Sequence, residues 1–130
     1  MKTYYLAGKM TGVPRYNIPA FDAAAAALRA KGYSIVSPAE LDDPEVRAAS
    51  YASPDGKGST GRTWGEFLAR DVKIVADDVQ GMILLEGWQE SRGAKLEVYV
   101  GLLCNHEFRL YYRDGRTVEI DPAFVRSFIR

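Results

Sequence analysis

The chain has 130 residues, 47% hydrophobic and 26% charged, and its 17 basic and 17 acidic side chains cancel to a formal net charge of zero. That length suits one domain with a proper core, and the charge balance argues against a nucleic-acid binder held by a basic stripe. A single Cys104 excludes an internal disulfide framework, one His and one Cys leave too few ligands for a structural zinc site, and no run approaches the ~18 apolar residues of a membrane span.

The apolar run at Met1–Gly8 is too short for a signal peptide, so a cytoplasmic domain is expected. Thr3 to Ala7 reads as a buried strand that stops at Gly8. After a loop punctuated by Gly and Pro, Asn17 is placed to cap a helix with Pro19 in its first turn. That helix runs through the alanine block Ala23–Ala27 and ends at Gly32. Tyr33 to Val36 is a second strand, broken by Pro38. The stretch from Asp42 to Arg62 is rich in Asp, Ser, Gly and Pro with little periodicity, and is expected to be a mobile loop over residues 42–62. Thr63-Trp64-Gly65-Glu66 reads as a capping box that opens a helix carrying Phe67, Asp71, Ile74 and Val75. Gly81 to Leu85 is a third strand, followed by a helix over Ser91–Leu103. Phe108–Tyr112 and Thr117–Ile120 flank Asp114-Gly115, a two-residue hairpin signal, and Asp121 caps a tail helix ending at Phe128-Ile129-Arg130. The alternation predicts one α/β domain over residues 1–130. It is expected to be a three-layer sandwich of flavodoxin or Rossmann-like type, with a mostly parallel five-stranded sheet, right-handed crossovers and a C-terminal β-hairpin.

Two carboxylates stand out, Asp71 inside a helix anchored by Trp64 and Phe67, and Glu97 inside the helix after the third strand. An acid near the carboxyl end of a strand in an open α/β sheet lies where such folds bind ligands. A pair of carboxylates can divide the cleavage of a glycosidic bond between nucleophile and proton donor, provided their surroundings keep one ionised while the other holds a proton. Ser91, Arg92 and Gly93 at the helix start, with Lys9 in the first loop, offer a hydroxyl, backbone N–H groups and cations to an anion. The loop Gly8-Lys9-Met10-Thr11-Gly12 sits where nucleotide-binding α/β folds keep a Gly-rich turn. Asp77, Asp78 and Glu90 read as solvated surface acids.

Taken in order, Gly8–Gly12, Tyr16-Asn17-Ile18-Pro19-Ala20-Phe21, Pro38–Asp42, Arg70-Asp71 and Gly87-Trp88-x-x-Ser91-x-Gly93-Ala94-x-x-Glu97 resemble the nucleoside 2-deoxyribosyltransferase superfamily, and within it small phage and bacterial proteins. The resemblance spans residues 3 to about 104. It implies cleavage or transfer of the N-glycosidic bond of a (deoxy)nucleoside or its 5′-monophosphate. Glu97 would be the nucleophile at C1′ and Asp71 the residue that assists protonation of the departing base or orients the sugar. Gly8, Lys9, Met10 and Gly12 would line the sugar and base pocket, with Ser91, Arg92, Gly93 and Trp88 as further substrate-binding residues. The sequence departs from the pattern at Thr11, where nucleotide hydrolases of this superfamily carry Arg, and at Gln80, where the phage proteins carry Asp. The implied partner is a small nucleoside or nucleotide, with no cofactor, metal, nucleic acid or membrane. A homodimer or higher homo-oligomer is expected, because superfamily members commonly complete each site with residues of a neighbouring subunit. The other readings are a module that binds or senses a nucleotide without turning it over, and an interaction protein that uses its 42–62 loop. The presence of both Asp71 and Glu97 favours the enzyme.

Overall fold

The structure is a computed structural model that describes residues 1–58 and 60–129. Its sheet contains β1 (Thr3–Ala7), β2 (Ser34–Val36), β3 (Gly81–Leu84), β4 (Glu107–Tyr111) and β5 (Thr117–Ile120), in the order β2-β1-β3-β4-β5. The pairs β1–β2, β1–β3 and β3–β4 are parallel, and β5 returns antiparallel to β4. The helices are α1 (Ile18–Ala30), α2 (Pro44–Ala52), α3 (Trp64–Asp77), α4 (Arg92–Leu103) and α5 (Pro122–Arg126). The expected three-layer α/β sandwich is therefore present, with the flavodoxin-like strand order. That order reverses direction between β1 and β3 and leaves a crevice past their carboxyl ends.

Strand alternation decides the two core layers. Tyr4 and Leu6 pack with Ile35, Ile83 and Leu85 against Phe21, Ala24, Ala25 and Leu28 of α1. Tyr5 and Ala7 point the other way, into a layer with Met82, Leu84 and Phe108 from the sheet, Val75 from α3, Val98 and Leu102 from α4, and Val125 from α5. Because both faces of the sheet are covered, the central strands are apolar throughout rather than alternating with polar residues. No helix among the described residues is long and apolar enough to cross a membrane.

Local signals set most helix starts. The capping box on α3 forms in full: Thr63 Oγ1 accepts from Glu66 N at 3.1 Å, and Glu66 Oε1 accepts from Thr63 N at 2.9 Å. Ser91 caps α4 through Ala94 N, and Asp121 caps α5 through Ala123 N. Asn17 does not cap α1; it adopts a left-handed conformation, and its Nδ2 donates to the Lys9 carbonyl oxygen at 2.8 Å, tying down the first loop. The 42–62 stretch is not a structureless loop, since α2 occupies Pro44–Ala52. Long-range contacts hold that helix: Arg47 donates to both carboxylate oxygens of Asp22 on α1 and to the Ala39 carbonyl oxygen. The hairpin turn is one residue longer than Asp114-Gly115 alone, because Gly115 N donates to Tyr112 O and Tyr112 N to Arg116 O. The tail helix stops at Arg126 rather than continuing to the chain end, and residues 59 and 130 lie outside the described residues. Gln80 has a clear task, accepting from Thr3 N through its side-chain carbonyl while its own N–H donates to Thr3 O.

At the amino ends of the strands Tyr4 lies flat across Gly81 of β3, so that its hydroxyl reaches Glu107 on β4 at 2.6 Å. A Cβ on residue 81 would stand 2.5 Å from two ring carbons of Tyr4. Gly81→Ala is therefore expected to destabilise the protein by about 1–3 kcal/mol, the range for overpacking a tight core, as read from urea midpoints. Burial pushes the Glu107 pKa up, but hydrogen bonds from Lys2, Tyr4 and Arg109 outweigh it and hold the carboxyl at about 2. The carboxylate's contribution is complete above its ordinary pKa of 4.5 and fades as the pH falls toward about 2. Glu107→Gln should lower stability at pH 7 and flatten its decline over that acid window. Unchanged pH dependence would remove Glu107 from the acid response.

Candidate active site

Three elements meet at the switch-point crevice. The apolar stripe of α3 runs through Phe67, Leu68, Ile74 and Val75, and Asp71 falls in phase with it. On α4 the buried positions are Ala94, Glu97, Val98, Gly101 and Leu102, so Glu97 likewise occupies a core-facing position. Both acids are thus carried inward by helices whose neighbouring turns are apolar, and each is 7% exposed. Beneath them Tyr5 of β1, wholly buried, donates from its hydroxyl to Glu97 Oε2 at 3.0 Å.

Asp71 and Glu97 line the same cavity, close enough for each to shift the other's pKa. Burial, then the charge of Asp71, pushes the Glu97 pKa well above the ordinary carboxylate range. Burial also raises that of Asp71, but Arg70, whose Nε donates to Asp71 Oδ1 at 2.9 Å, opposes the rise. Two carboxyls this close titrate as a pair sharing a proton. The rise is the larger on Glu97, while the guanidinium favours the ionised form of Asp71. Burial and both neighbouring carboxylates also push the Tyr5 hydroxyl up, so it stays a neutral donor.

Asp71, Glu97 and Arg70 line a cavity of about 100 Å³, with Tyr5 buried behind them. Gly8, Met10, Ser91 and Gly93 line it with Asp71 and Glu97, as the sequence predicts. Lys9, Gly12, Arg92 and Trp88 do not. The Arg92 guanidinium lies 5.2 Å from the Trp64 ring centroid, and Trp88 is packed edge-on to Phe128. Trp88 belongs to a separate, open hollow of about 1030 Å³ past β3 and β4, walled by Tyr111, Tyr112, Phe124 and Phe128. The larger hollow lacks the acid pair, so its size does not make it the reacting site. Among the described residues no cluster of three or more His, Cys, Asp or Glu is placed to hold a metal ion.

Sequence reasoning missed Tyr5, Arg70, Asp42 and the aromatic wall of Tyr16, Trp64 and Phe67. Tyr5 reads as one more strand aromatic. Arg70 and Asp42 stand in conspicuous motifs, but no local pattern says that residues 28 positions apart form a salt bridge.

Two loops, one of which lines the cavity through Met10, Thr11 and Tyr16, are tied together as a roof. Gly12 N donates to Gly56 O at 2.9 Å, Arg15 N to Ser53 O at 2.8 Å, and the Tyr16 hydroxyl to Gly58 O at 2.5 Å. Arg15, Tyr16 and Asn17 all carry left-handed φ angles, of 59°, 52° and 59°. Such conformations cost of order 1–3 kcal/mol each and persist only where the surroundings hold them. Gly56, at φ +70°, fits because a Cβ there would overlap the Val13 carbonyl oxygen. Gly56→Ala should unzip the roof and speed proteolysis within 53–58 by tenfold or more, while the urea midpoint of the whole domain changes little. Equal cleavage rates would show that the roof does not depend on this approach.

A family model described as "Domain of unknown function (DUF4406)" matches residues 1–107, which contain every element that builds the acid cavity and leave out all but the first residue of β4, with β5 and α5. No curated protein matches the chain. With most of its length covered by that match, the chain belongs to the DUF4406 family.

Proposed function

We propose that this chain cleaves or transfers the N-glycosidic bond of a (deoxy)nucleoside or its 5′-monophosphate. The observation that carries the reading is the buried pair Asp71–Glu97 at the switch point, with Tyr5 and Arg70 giving the two carboxyls different surroundings. Such asymmetry gives the two carboxyls different proton affinities, as a divided acid–base task requires. The resemblance to the nucleoside 2-deoxyribosyltransferase superfamily supports it, with Glu97 and Asp71 at the matching positions.

In the proposed reaction the Glu97 carboxylate attacks C1′ as the bond to the base breaks, and Asp71 delivers a proton to the departing base. Water or a second base then attacks C1′, and Glu97 leaves. The Tyr5 hydroxyl holds Glu97 Oε2, which leaves the other oxygen to point at the sugar. Trp64, Phe67, Tyr16 and Met10 supply apolar faces for a base. The cavity, at about 100 Å³, is below the ~300 Å³ floor for small-molecule sites, so the roof and the 42–62 segment must lift to admit a nucleoside. A cytoplasmic homo-oligomer completes the reading, with Leu96, Tyr99 and Leu103 giving α4 an exposed apolar face for a second copy.

The test is incubation with a panel of nucleosides and 5′-monophosphates, scoring free base. Native protein should release base from at least one member. Glu97→Ala should lose that activity by orders of magnitude, and Asp71→Asn should slow it by ~10²–10⁴-fold, the usual worth of general acid help. Binding without release across the panel would replace this reading with a nucleotide-sensing module.

A further inference from the structure

Every nitrogen of the Arg70 guanidinium has a partner, and those partners belong to two separate parts of the chain. Nε donates to Asp71 Oδ1 at 2.9 Å within α3, while the terminal nitrogens reach Asp42 Oδ1 and, at 3.4 Å, the Pro38 carbonyl oxygen. Asp42 and Pro38 belong to the connection from β2 to α2, and both line the cavity. The Asp42 side chain is only 8% exposed, so its charge is held inside by Arg70 rather than by water. Among the described residues that line the cavity, Arg70 is the sole cation.

We propose that Arg70 is a positioning residue tethered by Asp42, so that the seating of the β2–α2 connection decides which carboxyl of the Asp71–Glu97 pair carries their shared proton. The use of this device in catalysis rests on the glycosidic reading, but its existence does not. Three groups face Asp71: Arg70 from its own helix, Glu97 from α4 and Tyr5 from β1. Asp42 acts on it only through Arg70. With the guanidinium in place Asp71 is the carboxylate and Glu97 the acid, an order opposite to the one glycosyl transfer needs. A ligand that widens the cavity displaces Pro38 and Asp42, and their two bonds draw Arg70 away from Asp71. The proton then passes from Glu97 to Asp71. The O–H bond on Glu97 breaks, one forms on Asp71, and the charge of the pair is unchanged. Glu97 is now an anion able to attack, and Asp71 an acid able to protonate a base. Ligand entry and arming of the site are one event.

The experiment uses the full chain without substrate, labelled with ¹³C at its Asp and Glu carboxyls and titrated by NMR, with Asp71→Asn and Glu97→Gln assigning the signals. At pH 7 the native protein should show Glu97 protonated and Asp71 ionised. In Arg70→Gln the protonated signal should move to Asp71, and in Asp42→Asn it should be divided between the two. Arg70→Lys keeps a charge but cannot bridge both acids, so it should behave like Asp42→Asn and covers the case in which Arg70→Gln fails to fold. A proton that stays on Glu97 in every folded variant overturns the proposal, as does a native pair ionised at both carboxyls at pH 7. Because no substrate is used, absence of base release would count against the glycosidic reading alone.

Discussion

Two neighbouring carboxyls inside a crevice that water barely reaches resist being charged together. The rest of the site follows from that constraint. A shared proton removes one charge, and the one guanidinium of Arg70 stands between the carboxylates of Asp71 and Asp42. Tyr5 supplies a neutral donor from below and adds no charge of its own. Desolvated charges survive only when every partner is satisfied, so these residues stand as a unit.

The fold provides the conditions for that unit. The reversal of strand order between β1 and β3 opens the crevice, and the packing of α3 beside α4 brings two helical acids over one strand. At the opposite ends of the strands the chain is tied tightly across the sheet, through Tyr4, Gly81 and Glu107. The protein is thus stiff at the amino ends of its strands. At the carboxyl ends the cover is held by a few loop hydrogen bonds.

Much of this was legible in the sequence because it is local. Glu97 and Asp71 stand out since each interrupts the apolar stripe of its own helix, and Thr63, Ser91 and Asp121 announce the helices they cap. The arrangement of the sheet follows from alternation of apolar runs with helical periods. What stayed hidden depends on partners far along the chain. Helix α2 has an Asp43-Pro44-Glu45 start but no apolar stripe, and the Arg47 clamp on Asp22 becomes visible only in space. Asn17 carries a capping side chain, yet the left-handed turn before α1 gives it a different acceptor. Trp88 shares a motif with Ser91 and Gly93, but a turn of 3-10 helix over Trp88–Glu90 buries it against the tail instead of the acids.

The roof has a consequence for how such a protein diversifies. Two of the bonds that join its halves run from one main chain to the other, Gly12 to Gly56 and Arg15 to Ser53. Met10 and Thr11 line the cavity from the same loop and make no side-chain hydrogen bond that the closure needs. Their side chains can therefore be exchanged without undoing the cover, whereas the acid pair and its guanidinium tolerate no such freedom. Evolution has in this loop a surface on which to change what is recognised while leaving untouched the machinery that reacts.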